Sequence, residues 1–282
     1  TLSALENNTL DIADALSLLG EIENDPSQQS EWNIMAITGA PGVGKSCLVD
    51  KIISQWASQG KKIALLAVDP SSSRTGGALL GDRVRLSVVD DIMLKDMVYV
   101  RSVATRKSSS SVPAVVSDMA QLLLALGWNK VVIETVGAGQ SEVRCAAIAD
   151  RIVVVEGPAR GDGVQAEKAG LLELADAVIV NKSDIVGARK HADEIKESFE
   201  LGDGQSPPVL LTCALNGDGC QFASDVLLTL QSTGRSSKAR WRERLLSGLE
   251  QKILQNPNLD EILLSLASGY IELDEAINNL NN

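Results

Sequence analysis

The run Gly39, Ala40, Pro41, Gly42, Val43, Gly44, Lys45, Ser46 puts three glycines, a lysine and a hydroxyl in the order that a polyphosphate cradle demands. Glycines let successive backbone N–H groups turn inward around phosphate oxygens, and a helix start just beyond adds positive potential. Lys45 can reach the terminal phosphates, and the Ser46 hydroxyl can ligate magnesium. An apolar run, Ile34 to Thr38, precedes the motif, and a helical pattern from Ser46 to Ser58, with Cys47 in its first turn, follows it. That is the strand, loop and helix context of a P-loop.

A second motif, Asn181, Lys182, Ser183, Asp184, closes a later apolar run. The Asp184 carboxylate can accept from both N1–H and the exocyclic amine of guanine, whereas adenine has a donor at neither place. Downstream of a P-loop it favours GTP over ATP. Thr212, Cys213 and Ala214 end the next strand, where a loop could close over the base. A third element is the stretch ETVGAGQSE, in which Glu134 can reach a magnesium shell and Gly137 can offer its N–H to a γ-phosphate. Asp69 closes another strand, and Asp82 lies in the loop TGGALLGDR; each carboxylate taken singly reads equally as a cap or turn residue.

These motifs need a scaffold that brings them to one edge. Strand-length apolar runs at Ile34 to Thr38, Ile63 to Asp69, Val131 to Thr135, Ile152 to Glu156, Val178 to Asn181 and Val209 to Thr212 alternate with helical stretches such as Ala114 to Leu126 and Ala188 to Glu200. That alternation predicts an α/β fold: a parallel-sheet P-loop NTPase core flanked by helices. Leu10, Ala13, Leu16 and Leu19 recur at helical spacing and predict a first helix ending near Gly20. Beyond Ser236 the strands stop, and helical patterns continue with a break at Pro257. The expected organisation is an N-terminal helical arm over 1–31, a P-loop GTPase domain over 32–234 and a C-terminal helical arm over 235–282.

Composition narrows the function classes. Of 282 residues, 44% are hydrophobic and only 3% aromatic, so the core must be filled by Val, Ile, Leu and Ala. A net charge of -11, with no Lys or Arg from Thr1 to Glu31, argues against nucleic acid or an anionic membrane as partner. Arg235, Lys238, Arg240, Arg242 and Arg244 read as a solvated helix face, and so does His191 amid its charged neighbours. Cys47, Cys145, Cys213 and Cys220 show no CxxC spacing and read as reduced, buried thiols. No run is long enough to span a bilayer and no signal peptide is visible, which implies a cytoplasmic protein; the first residue is not Met, which leaves room for a removed targeting segment.

In their order, GAPGVGKS, AVDPSSSRTGGALLGDR, ETVGAGQSE, GDGVQAEK and NKSD resemble the methylmalonyl-CoA-mutase-associated GTPases, the MeaB/ArgK-like family. The similarity runs from about Ile34 to Ala214. It implies a GTPase converting GTP to GDP and phosphate, with GTP/GDP and Mg2+ as cofactors. It further implies a G-protein chaperone that gates cofactor loading or protection of an adenosylcobalamin-dependent acyl-CoA mutase. Carried over by motif, it assigns phosphate binding to Gly39 through Ser46, magnesium contacts to Ser46, Asp69, Asp82 and Glu134, and guanine recognition to Asn181, Lys182 and Asp184. The family's further loop reads here as GPARGDGVQAEKAG, with Gln165 and Lys168 as catalytic or coupling candidates beside Lys45 and Glu134, and with Ala159 where the family usually has glycine. Arg101 to Pro113 departs from the family's glycine-rich continuation, which bears on partner contacts. The C-terminal arm is shorter than the family's dimerising extension, so a homodimer stays open. Two alternatives remain: a metal-insertion GTPase, against which the lack of a Cys/His cluster counts, and a P-loop kinase, which would need an acceptor pocket.

Overall fold

The computed structural model describes residues 2–6, 9–19, 32–69, 86–104, 115–135, 148–158, 166–201, 205–234, 237–254 and 256–281. Its centre is a parallel sheet of strands β1 (Ile34–Thr38), β2 (Ile63–Asp69), β3 (Val98–Ala104), β4 (Lys130–Thr135), β5 (Arg151–Glu156), β6 (Ala177–Val180) and β7 (Val209–Leu211). The order across the sheet is β3-β2-β4-β1-β5-β6-β7, with every neighbouring pair parallel. The chain leaves β1 toward one side for β2 to β4 and then builds β5 to β7 on the other. β1 therefore stands at the topological switch point, where open parallel sheets bind their ligands beyond the strands' C-terminal ends.

Helices cover both faces, which is why the strands read as continuous apolar runs. On one face α3 (Lys45–Ser58) and α7 (Cys220–Leu228) bury Leu48, Ile52, Ile53, Trp56, Ala223 and Leu227 against Met35, Ile37, Leu65 and Val153. Trp32 and Trp56 meet there with ring centroids 5.5 Å apart. Their indole N–H groups donate to the carbonyls of Leu227 and Ser224, so both large rings enter the core with their polar atom satisfied. On the other face lie α4 (Val115–Ala125), α5 (Ala166–Leu174) and α6 (Ala188–Glu200), together with α1 (Leu2–Glu6) and α2 (Ile12–Ser17), whose Leu5 and Ala15 are buried. Helices α8 (Ser237–Leu254), α9 (Leu259–Ala267) and α10 (Leu273–Asn281) complete the chain, and the gap between α8 and α9 contains Pro257.

The structure departs from the sequence reading at several points. Strand β3 was not expected; it pairs with β2 from Ile63↔Val98 to Asp69↔Ala104 and forms one edge of the sheet. The helix predicted to come first is the second: α1 (Leu2–Glu6) was not foreseen, and α2 starts at Ile12 because the Asp11 side chain accepts from Ala13 N at 2.8 Å and caps it there. His191 is buried rather than solvated: Ala188, His191, Ala192, Ile195 and Phe199 form the inward stripe of α6. Arg240 is also buried, donating to the carbonyls of Asp150 (2.8 Å) and Leu174 (3.2 Å) and pairing with the fully buried Asp176. Cys213 and Cys220 are buried free thiols as expected, but Cys47 is exposed. Among the described residues, no helix is long and apolar enough to cross a membrane.

Asp118 of α4 offers a stability prediction. Burial, with the Asp11 carboxylate nearby, raises its carboxyl above the ordinary range. A carboxylate raised in the folded state costs stability once ionised, so the penalty is absent at low pH and grows as pH rises through the folded value. Asp118→Asn is expected to raise Tm at pH 7 by an amount equivalent to about 0.5 kcal/mol, a gain that fades below pH ~4. Thermal melts of both proteins across pH 3–8 check this, and an equal gain at every pH would exclude the titrating carboxylate as its source.

Candidate functional site

The C-terminal ends of β1, β2, β4, β5, β6 and β7 open on one edge of the sheet, and each delivers a residue singled out in the sequence or its neighbour. From β1 the chain enters the loop of Gly39 to Gly44. Gly39 has φ 142°, and a Cβ there would lie 2.0 Å from the Val155 carbonyl oxygen, so the strand can pass into the loop against β5 only through glycine. Gly44 (φ 93°) caps the start of α3, where a Cβ would meet the Asn181 amide nitrogen at 2.5 Å. Backbone freedom and close approach thus both dictate glycine at these two positions.

Lys45 is buried, and its ammonium donates to the carbonyls of Gly39 (2.6 Å) and Ala40 (3.0 Å), which folds the loop around the charge. The Ser46 hydroxyl donates to Oε1 of Glu134 at 2.7 Å, joining the first turn of α3 to the end of β4. Pro41, Gly42 and Cys47 are exposed around this centre, and Val43 is buried beneath it.

Asn181 and Lys182 join the second motif to the first. The Asn181 amide donates to Val43 O at 2.9 Å, and its carbonyl accepts from Ala214 N (3.0 Å) and the Thr212 hydroxyl (3.1 Å). Lys182, held at the unusual φ of 61°, donates from Nζ to Gly42 O at 2.7 Å. One asparagine therefore ties three segments that are far apart in sequence. Asp184 is exposed at the rim and accepts from the Cys213 thiol at 3.1 Å. Burial raises the pKa of the neighbouring Cys220 thiol, with Cys213 adding to the effect, so Cys220 stays protonated at neutral pH.

The structure thus brings together Gly39 through Ser46, Glu134, Asn181, Lys182, Asp184, Cys213 and Ala214. Asp69 ends β2 at the same edge. Lys168 lies in α5. Asp82, Gly137 and Gln165 lie outside the described residues. Sequence reasoning missed Asp50, which is buried in α3 and accepts from Ser87 Oγ and from Val88 N (3.0 Å). A carboxylate interrupting the apolar run of Leu48, Val49, Ile52 and Ile53 was the available signal. It also missed Glu156, buried at the end of β5 with Oε2 3.9 Å from His191 Nε2.

A phosphate-type loop, a hydroxyl–carboxylate pair and an Asn-Lys-Ser-Asp motif on one sheet edge invite comparison with known proteins. The family model described as methylmalonyl Co-A mutase-associated GTPase MeaB matches residues 4–257. The chain belongs to the MeaB family. A Pyrococcus horikoshii protein named as a GTPase is 40% identical over 193 residues, covering 66% of this chain and 60% of that protein. The MeaB-family chain thus spans less than two thirds of that relative's length. The fused isobutyryl-CoA mutase of Paraburkholderia xenovorans is 37% identical over 204 residues, covering 71% of this chain but 16% of the mutase. Among solved structures, the LAO/AO transport system kinase matches with TM-score 0.58 at 20% identity, covering 99% of this chain and 95% of that one, which supports the fold.

Proposed function

We propose that this chain binds GTP with magnesium, hydrolyses it to GDP and phosphate, and uses the nucleotide state to gate cofactor loading or protection of an adenosylcobalamin-dependent acyl-CoA mutase. One observation carries the nucleotide half: Val43 and Gly42 of the phosphate-type loop are hydrogen-bonded to Asn181 and Lys182 of the base-type motif. A site so joined holds both ends of one molecule at a fixed separation. The mutase half is supported by the family's description and by the relative in which similar sequence is part of a mutase. The catalytic unit in this reading is 32–234, and the compartment is the cytoplasm.

In the proposed reaction a water oxygen attacks the γ-phosphorus, the bond to the β–γ bridging oxygen breaks, and GDP leaves. The loop N–H groups and the Lys45 ammonium hold the phosphates in line and offset the charge that builds there. The residues present fit magnesium, since the Ser46 hydroxyl and the Glu134 carboxylate form an adjacent pair of hard oxygen donors. Asp69 and Asp82 would complete the set. Bound there, the ion would neutralise charge on the β- and γ-phosphate oxygens. Asp184 would read guanine, and the Ala214 region would close over it.

Phosphate release from GTP, measured with and without Mg2+ and with and without a cobalamin mutase, tests both halves. Magnesium-dependent release is expected, rising when the mutase is added. No release under any condition would sink the hydrolase reading, and a rate indifferent to the mutase would sink the chaperone reading. Gly157 and Pro158 leave β5 at this edge and lead in sequence to Gln165 and to Lys168 of α5, so the double change Gln165→Ala and Lys168→Ala is expected to leave GTP affinity within a few fold but to cut mutase-stimulated turnover by about tenfold, or about 1.4 kcal/mol. Equal stimulation of both proteins would remove that loop as the coupling element.

A further inference from the structure

We propose that His191 is a positioning residue for GTP turnover: as an imidazolium it spans the carboxylates of Glu156 and Glu194 and holds the end of β5 against α6, the helix that follows the base motif. The inference rests on the GTP-hydrolysis reading above. His191 is the single histidine of the chain, and it sits in the first turn of α6, where its N donates to Gly187 O at 2.9 Å. The residue is 9% exposed, and its Nε2 is buried and makes no hydrogen bond among the described residues. That nitrogen stands 3.9 Å from Oε2 of Glu156, and Nδ1 stands 3.7 Å from Oε2 of Glu194. A neutral imidazole carries one N–H and can serve only one of the two carboxylates, leaving a lone pair turned toward the other. With a proton on each nitrogen the ring donates both ways and draws both carboxylates in, which satisfies the buried Nε2.

Glu156 carries the effect to the site because its backbone touches both motifs. It pairs with Val180 in the sheet, and its carbonyl accepts from Asn181 N at 2.8 Å. The next residue, Gly157, lies against the phosphate-type loop, where a Cβ would stand 3.5 Å from Val43 Cγ1. From there Gly157 and Pro158 lead in sequence to Gln165 and Lys168. Fixing the Glu156 side chain on α6 therefore fixes the point at which the chain leaves β5 beside both grips. Among the described residues, the charged groups at the ring are Glu156 from β5 and Glu194 from α6, the latter also paired with Lys190 at 3.6 Å. Strands β6 and β7, beneath α6, bring only Ala, Val, Ile and Leu.

A pH profile separates this role from a structural one, because histidine side chains change charge between about pH 5 and 8. In steady-state GTP turnover by the full chain, the ratio of wild-type kcat to that of His191→Gln is expected to be about threefold at the acid end of that range and to fall to about one at the alkaline end. Taking the ratio cancels the titration of the nucleotide itself. GDP affinity by calorimetry is expected to stay within about twofold in both proteins. In a Glu156→Gln background the histidine change is expected to leave the profile unaltered. A ratio that does not vary with pH, a loss of GDP affinity as large as the loss of turnover, or an undiminished effect with Glu156 already replaced overturns the proposal while leaving GTP hydrolysis intact. The lone imidazole also reports in the wild type, whether or not the variants fold: its nitrogen-15 spectrum is expected to show two protonated nitrogens at the acid end and one at the alkaline end, and a ring that never carries two protons overturns the proposal. A wild-type chain that releases no phosphate at any pH overturns the hydrolysis reading and this inference with it.

Discussion

Replacing Lys45 by alanine is expected to lower GTP turnover by about 10²- to 10³-fold, the range seen when one preorganised donor to developing transition-state charge is removed. The ammonium is buried and enclosed by the carbonyls of Gly39 and Ala40, so no exposed side chain can substitute for it. Its loss also leaves those carbonyls turned toward a space meant for anions, which should weaken nucleotide binding. Phosphate release and GDP titration, with a thermal melt to establish that the variant folds, measure the effect. Turnover at the wild-type rate would mean that Gly39 to Ser46 is a turn of other purpose.

The second large effect concerns the base. Asp184→Asn replaces one acceptor oxygen by an N–H donor, and xanthine carries a carbonyl where guanine carries its amine. GTP affinity should fall by about 10²-fold or more while xanthosine triphosphate gains, so that their order inverts, because a polar site left facing the wrong partner is costly. The exposed position of Asp184 makes the change benign for folding, and Asn181 still holds Val43, Thr212 and Ala214. Competition calorimetry with the two triphosphates is the measurement; an unchanged order would remove Asp184 as the base reader.

Much of this arrangement is legible in the sequence because it repeats short-range physics. The apolar runs predict the six strands that carry motifs to within a residue or so at each end, since strands buried on both faces announce themselves by continuous Val, Ile and Leu. Strand β3 escaped because its run, Val98 to Ala104, is broken by Arg101 and Ser102, as an edge strand permits. His191 and Arg240 were misread for a common reason: charged neighbours in sequence say little about a helix face, whereas the i, i+4, i+7 spacing of Ala188, Ala192 and Ile195 marks the buried stripe on which His191 sits. The joining of Gly42 and Val43 to Lys182 and Asn181 could not be read at all, because pairing across such a separation depends on strand order.

The two tryptophan contacts carry one more consequence. Trp56 belongs to the helix that begins at Lys45, and its indole N–H holds Ser224 in α7, the helix that follows the Cys213 to Gly219 turn. Trp32 grips the same helix at Leu227. In the proposed reading the two ends of the nucleotide site, phosphate loop and base motif, are thus mounted on a single bracket inside the core. Such a bracket acts as a gauge of molecular length, so a ligand that presents the right base without the polyphosphate, or the reverse, engages one jaw and leaves the other unfilled.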